Sequence, residues 1–328
     1  MMIRSTLMAA ALLALAPAVS ASAFEPRNPE CIAPAAPGGG FDLTCRITSQ
    51  QLNQLGIVEP TIRTTNMPGG IGAVAYNTIQ ANRAQDPNVI IAVSTGSWVN
   101  LAQGKFGRFT ENDVRWIGAV GADYGVLAVR KDSRFETLED FVAALKEDAG
   151  SVPIGAGGTV GSQDWMKPAL VARAAGVDPR QMRYLSYEGG GEALAALLGG
   201  TIEVLPGDAS EILGQLEAGE VRVLATFSAE RLPGAFADIP TAKEAGYDVE
   251  WPIVRGFYAP PRISDEEYAY WVDALTKLNA NPEWQKVRGE QGLFEYDLVG
   301  AEFDAFAKER TTAFRTLASE VGLPTSGN

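Results

Sequence analysis

The chain has 328 residues, 40 acidic against 27 basic, a net charge of −13 and no histidine. That length suits two domains better than one, and the acidity argues against nucleic acid and anionic membrane surfaces as partners. Without histidine there is no Ser-His-Asp or Cys-His nucleophile, no His-ligated zinc and no imidazole general base.

Residues 1–23 read as an export signal. Arg4 supplies the charge, Leu7–Val19 is an apolar run of about a dozen residues, and Ala21-Ser22-Ala23 is a cleavage site of the A-x-A kind. The run is too short to span a bilayer, and no Leu-x-x-Cys lipoprotein pattern precedes Cys31. Cleavage after Ala23 leaves 26 basic and 40 acidic residues in a periplasmic chain. In that oxidising compartment Cys31 and Cys45, spaced too far apart for a C-x-x-C redox pair, read as a structural disulfide. Two buried free thiols are the alternative.

Short strands then alternate with helices, the α/β signature. Glu30–Ala33 reads as a strand, Pro34–Asp42 as a Gly/Pro loop and Leu43–Leu55 as a helix. Thr61–Thr65 is a strand, and Gly69–Gly72 leads into a helix over Ala73–Ala81. Val89–Val93 is an apolar strand ended by Ser94-Thr95-Gly96-Ser97, which fits a sheet covered on both faces. Trp116–Val120 and Val126–Val129 follow with no helix between them. There the chain is expected to cross into a second domain.

The second unit begins with an amphipathic helix over Phe135–Leu145, with Thr137 as N-cap and Asp140 at N3. Then come a strand over Ser151–Gly155, a helix over Trp165–Ala175, a strand over Met182–Leu185 and a helix over Ala193–Leu198. Ile202–Leu205 is a strand ending at Gly207-Asp208, followed by a helix over Ile212–Leu216 and a strand over Val221–Phe227. Arg231–Tyr247 is loop-rich, and Gly256–Ala259 is a strand stopped by two prolines. The tail is helical: Ser264 with Glu267 makes a capping box for a helix to Leu278, and Asn281–Gln291 and Glu302–Val321 follow. The expected organisation is a discontinuous first domain, 24–123 with 247–328, and a second, 124–246. The fold class is α/β with a ligand cleft between two lobes, beside the carboxyl ends of the strands.

Four strand-to-helix loops share one chemistry: Pro37–Asp42, Pro68–Gly72, Gly155–Ser162 and Gly189–Glu192. Glycine lets backbone approach an anion, and the helix that follows offers unpaired N–H groups at a positive dipole end. Gly39, Gly40, Phe41, Gly70, Gly158 and Gly190 are therefore candidate ligand residues. Ser94, Thr95, Thr159 and Ser162, with Ser97 and Ser210, could add side-chain donors. Arg255 matches a carboxylate bidentately, or else forms an interdomain salt bridge. Asp42 and Asp208 either face the ligand or cap helices. Gly155–Gly161 is one residue too long for the dinucleotide fingerprint and lacks a P-loop Lys, so no nucleotide or other cofactor and no metal is expected. A secreted enzyme would have to draw its acid–base pair from Asp42, Asp208 and Glu211, whose spacing makes no signature.

Five blocks resemble the substrate-binding proteins of tripartite tricarboxylate transporters: Glu30–Pro34, Pro37–Arg46, Tyr187–Gly191, Pro240–Gly246 and Arg255–Pro261. Asn66-Met67-Pro68-Gly69, Asp86-Pro87-Asn88 and Leu185-Ser186-Tyr187 depart from that family's usual motifs. The resemblance implies a Venus-flytrap fold of type II-like architecture and a citrate-like di- or tricarboxylate held by main-chain N–H groups and bridging waters, and a monomer is expected. It further implies delivery to a large and a small membrane subunit. A receptor serving a sensor kinase would carry the same sequence features.

Overall fold

The computed structural model describes residues 24–326. The expected export signal lies outside the described residues. The chain builds two α/β lobes, each on its own sheet. The first sheet has the order β2-β1-β3-β9-β4, made by β1 (Glu30–Ala33), β2 (Arg63–Asn66), β3 (Val89–Ser94), β4 (Arg115–Tyr124) and β9 (Pro252–Ala259). β1 runs parallel to β2 and β3, whereas β9 is antiparallel to both its neighbours, β3 and β4. A strand that returns from elsewhere in the chain is thus inserted into the middle of the sheet.

The second sheet contains β5 (Val126–Arg130) paired antiparallel with β8 (Val221–Thr226), and β6 (Ile154–Gly157) paired parallel with β7 (Tyr184–Tyr187). Isolated bridges from Leu205 to Ala128 and from Val204 to Ile154 join these pairs. The strand expected over Ile202–Leu205 is reduced to those bridges. Only Gly125 separates β4 from β5, and its N–H donates to Trp251 O while its carbonyl accepts from Phe227 N. Both inter-lobe passages of the chain therefore lie side by side.

Helices cover both faces of the first sheet. On one side α1 (Gly40–Gln54), α8 (Asp265–Asn279) and α9 (Pro282–Glu290) enclose a core containing Trp271 and Trp284. The Cys31–Cys45 disulfide ties β1 to α1 on this side. On the other side α2 (Ala73–Asn82), α3 (Thr95–Ala102) and α10 (Gly300–Glu320) pack through Trp98, Trp116, Tyr258 and Phe303, with ring centroids 5.7–6.0 Å apart. The second lobe carries α4 (Leu138–Asp148), α5 (Gln163–Ala174), α6 (Gly190–Leu198) and α7 (Ala209–Glu217). The expected capping boxes are present: Thr137 with Asp140 on α4, and Ser264 with Glu267 on α8.

Several boundaries move, mostly at the starts of helices. α1 and α6 begin inside their glycine loops, at Gly40 and Gly190, ahead of the first apolar residue of each periodic pattern. Ser94–Ser97, expected as the turn ending a strand, opens α3. Its start is fixed by a capping box between Ser94 and Ser97, which supplies the first-turn N–H groups with partners. β9 reaches back to Pro252, so Arg255 stands inside the strand, not ahead of it.

Candidate functional site

Five helices start at one interlobe cavity. Its wall includes Gly39 and Gly40 at the head of α1, Ser94 and Gly96 at α3, and Ser162 and Gln163 at α5. Gly189 and Gly190 stand there at α6, and Asp208 and Glu211 at α7. A helix start leaves backbone N–H groups without intrahelical partners and concentrates partial positive charge. The cavity as seen is small, about 40 Å³, because side chains of the protein fill its floor.

The floor is a ladder of buried charges crossing between the lobes. Asp123, from the end of β4, accepts from Arg255 Nη2 at 2.6 Å and from Nε at 3.2 Å. The same Nη2 donates to Asp208 Oδ2 at 2.9 Å. Asp208 Oδ1 accepts from Lys167 Nζ at 2.5 Å, and that ammonium also donates to Asp164 Oδ1 at 2.8 Å and Gly207 O at 2.8 Å. Arg255, Lys167, Asp123 and Asp208 are all at most 2% exposed. Ser210 closes the far end, its N–H and hydroxyl both donating to Asp123. The Lys167 stem runs past Gly125, where a Cβ would come within 2.9 Å of it, so the ladder is built against the inter-lobe passage.

Glu211 stands beside this ladder and reaches the opposite lobe. Its Oε1 accepts from Gly40 N–H at 2.5 Å, at the head of α1. The glycines are what make room. A Cβ on Gly190 would lie 2.1 Å from Glu211 Oε2, and one on Gly40 would lie 1.9 Å from Arg255 Nη1. Burial and the carboxylates of Asp208 and Asp164 push the Glu211 carboxyl up to about 8. Burial likewise raises Asp164. Burial also pushes Asp208 upward, but Lys167 and Arg255 outweigh it and hold this carboxyl below its ordinary value.

The sequence-selected residues divide into three groups. Gly39, Gly40, Phe41, Ser94, Ser162, Gly190, Asp208 and Arg255 are brought together at the inner cavity. Gly70, Gly158 and Thr159 line a second, outer cavity of about 380 Å³, which shares Ile71 and Asn100 with the first. Lys105 stands there, donating across the lobes to Val160 O at 3.0 Å and Thr159 Oγ1 at 3.3 Å, and burial lowers its ammonium to about 8. Asp42 and Thr95 join neither wall. Asp42 is not the N-cap of α1, which is Gly39; its carboxylate turns back to Gly38 N–H, Arg46 and Asn66. Thr95 Oγ1 donates to Pro252 O and accepts from Val254 N–H, fastening α3 to β9.

Two further expectations change. The Arg255 guanidinium, considered as a bidentate partner for a ligand, is already engaged by two protein carboxylates, one from each side of the passage. Asp208 sits at the N-cap position of α7 yet makes no side-chain cap, because both its oxygens are drawn into the ladder. Sequence reasoning did not select Lys167, Asp164, Asp123, Asn100 or Gln163 at all. A lysine just past the first turn of a helix ordinarily snorkels to water, and its partner Asp208 is 41 positions away. No spacing signal connects them.

The model of the tripartite tricarboxylate transporter family receptor matches residues 46–323. The chain belongs to this TctC family. A protein of Cupriavidus necator encoded in its gbd 5' region is 23% identical over 287 residues, covering 87% of this chain and 85% of the relative. MatC from Rhodopseudomonas palustris, solved with bound malate, superposes with a TM-score of 0.79 at 19% identity, covering 90% of this chain and 99% of its own. The periplasmic binding protein BugD superposes with a TM-score of 0.81 at 20% identity, covering 90% and 98%. These likenesses establish the two-lobed periplasmic-binding-protein fold for this TctC-family chain. Among the described residues no helix is long and apolar enough to cross a membrane.

Proposed function

We propose that this protein is exported, cleaved after Ala23, and closes its lobes over a small carboxylate that it hands to the large and small membrane subunits of a tripartite transporter. The observation that carries the reading is the convergence of five helix starts on one interlobe cavity. Such an array holds a carboxylate by backbone N–H groups without requiring a basic side chain. The family and the malate bound by MatC support the ligand class. The protein binds its ligand and does not transform it.

In this reading Gly39, Gly40, Phe41, Ser94, Ser162 and Gly190 form the inner wall, and Gly70, Gly158 and Thr159 form the mouth. Asp208 and Arg255 act by fixing the ladder beneath. The lobes are 24–123 with 247–328 and 124–246, and they hinge where Gly125 and Trp251 lie side by side. Closure couples ligand capture to the shape that the membrane subunits meet. A trianion of the citrate kind faces the carboxylates of the floor, so a singly or doubly charged ligand fits better.

The test is calorimetric titration of refolded protein with citrate, tricarballylate, malate, succinate, glutamate and an aromatic acid. Saturable one-to-one binding of at least one of them, without product formation, is expected. Binding of a neutral solute and none of the acids would overturn the reading.

A further inference from the structure

The inner cavity contains more negative than positive side chains. Asp123 from β4, Asp164 from α5 and Asp208 and Glu211 from α7 face only Arg255 from β9 and Lys167 from α5; α1, α3 and α6 add no titratable side chain to the wall. Four carboxylates share two cations. A buried carboxylate without a full cationic partner is costly. Burial and neighbouring carboxylates raise both Glu211 and Asp164, although Lys167 lies 2.8 Å from Asp164 and Arg255 lies 3.9 Å from Glu211, because each cation is shared with Asp208.

A second observation points the same way and involves no charge. Asn100, 3% exposed, stands on the wall with its Oδ1 buried and without a hydrogen-bond partner. Gln163 Oε1 is in the same condition. Neither amide is free to be turned round. Asn100 Nδ2 donates to Ile71 O at 3.2 Å, and Gln163 Nε2 donates to Asp208 Oδ2 at 3.2 Å, so reversing either would set oxygen against oxygen. The unfilled positions at this wall are therefore acceptors, and they call for a donor.

We infer that the carboxylate taken by this cleft also carries a protonated amine, seated against Glu211, Asp164 and the unpartnered oxygens of Asn100 and Gln163. The inference rests on the carboxylate reading above and narrows it to amino acids and their close relatives. The helix starts hold the acid end of the ligand; the ammonium supplies the cation and the N–H donors that the floor lacks. Glu211 then exchanges the Gly40 N–H for the ammonium, which frees the head of α1 for the ligand's carboxylate.

Matched pairs test it. The refolded chain is titrated by calorimetry with aspartate against succinate, glutamate against glutarate, and cadaverine as an amine without an acid. At least one amino acid is expected to bind tenfold or more tightly than its deaminated twin. Glu211→Gln and Asp164→Asn, each checked for native circular dichroism, are expected to shrink that ratio below threefold. Succinate or glutarate binding as tightly as the amino twin would overturn the amine inference and leave the carboxylate reading standing. Cadaverine binding with none of the acids would overturn the carboxylate reading instead. A folded protein that binds no probe would sink both.

Discussion

The inner and outer ends of the cleft place cations in opposite circumstances. At the inner end Lys167 and Arg255 are sealed from water and hydrogen-bond two carboxylates each, with Glu211 a further 3.9 Å neighbour of Arg255. At the outer end Lys105 is half-buried and meets only a hydroxyl and a carbonyl. The contrast teaches that charge number matters less than what water can still reach. Inside, each carboxylate must share a cation; outside, Lys105 has no carboxylate and keeps partial contact with solvent, yet burial still lowers its ammonium to about 8.

Breaking the inner ladder should have the largest effect. Lys167→Met leaves Asp164 and Asp208 buried with one cation between them. It is expected to cost about 3–5 kcal/mol of stability in urea unfolding; a loss below about 1 kcal/mol would show that the ladder carries little energy. Opening the disulfide comes next. Cys31→Ser should cost about 3 kcal/mol if the short loop's closure entropy is what the bond contributes, read as a lowered midpoint with a slope that is unchanged or slightly steeper as the unfolded chain loses its ring.

A pH series sharpens the comparison. Glu211 is held near 8 in the folded protein, above its unfolded value of about 4.3. Between those two pH values the folded state binds the extra proton, so this group's contribution to stability is fully present below about pH 4.3 and is lost as pH rises through 8. Melting temperatures should therefore fall from pH 5.5 to 8.5 in the native protein and fall less in Glu211→Gln. Equal slopes would show that Glu211 is not the group titrating. Asp42 does not interfere in that window. Burial raises it, but Arg46 and the Gly38 N–H outweigh burial and hold it low, so its contribution is lost only below about pH 4. The smallest effect belongs to the mouth, where Lys105→Ala should cost about 0.5–1 kcal/mol, within the range of an ordinary hydrogen bond.

The same contrast explains what the sequence could and could not reveal. Glycine loops before helices announce N–H groups near a cleft, so the placement of Gly39, Gly40 and Gly190 at the inner cavity was legible from local chemistry. The Thr137 and Ser264 capping boxes were legible for the same reason, since donor and acceptor lie three residues apart. The α3 start carried such a signal too, in Ser94 and Ser97, but Gly96 between them reads as a turn. The ladder was not legible. Asp123, Asp164, Lys167, Asp208 and Arg255 come from four elements and are joined only by the crossing of the chain between lobes. Arg255 was selected because guanidinium suits carboxylate; that the carboxylates are the protein's own is a fact of tertiary structure.

The cystine has a mechanical consequence. Residues 31 to 45 form a closed ring that contains the whole Pro37–Asp42 stretch of the cleft wall. When the protein is stretched by its ends, about 50 Å of contour length stays hidden within that ring, at about 3.5 Å per residue. Force can pull the sheet apart without ever drawing the glycine segment straight. On release, that segment begins its return already looped, and it has less conformational space to search than any other wall of the cleft.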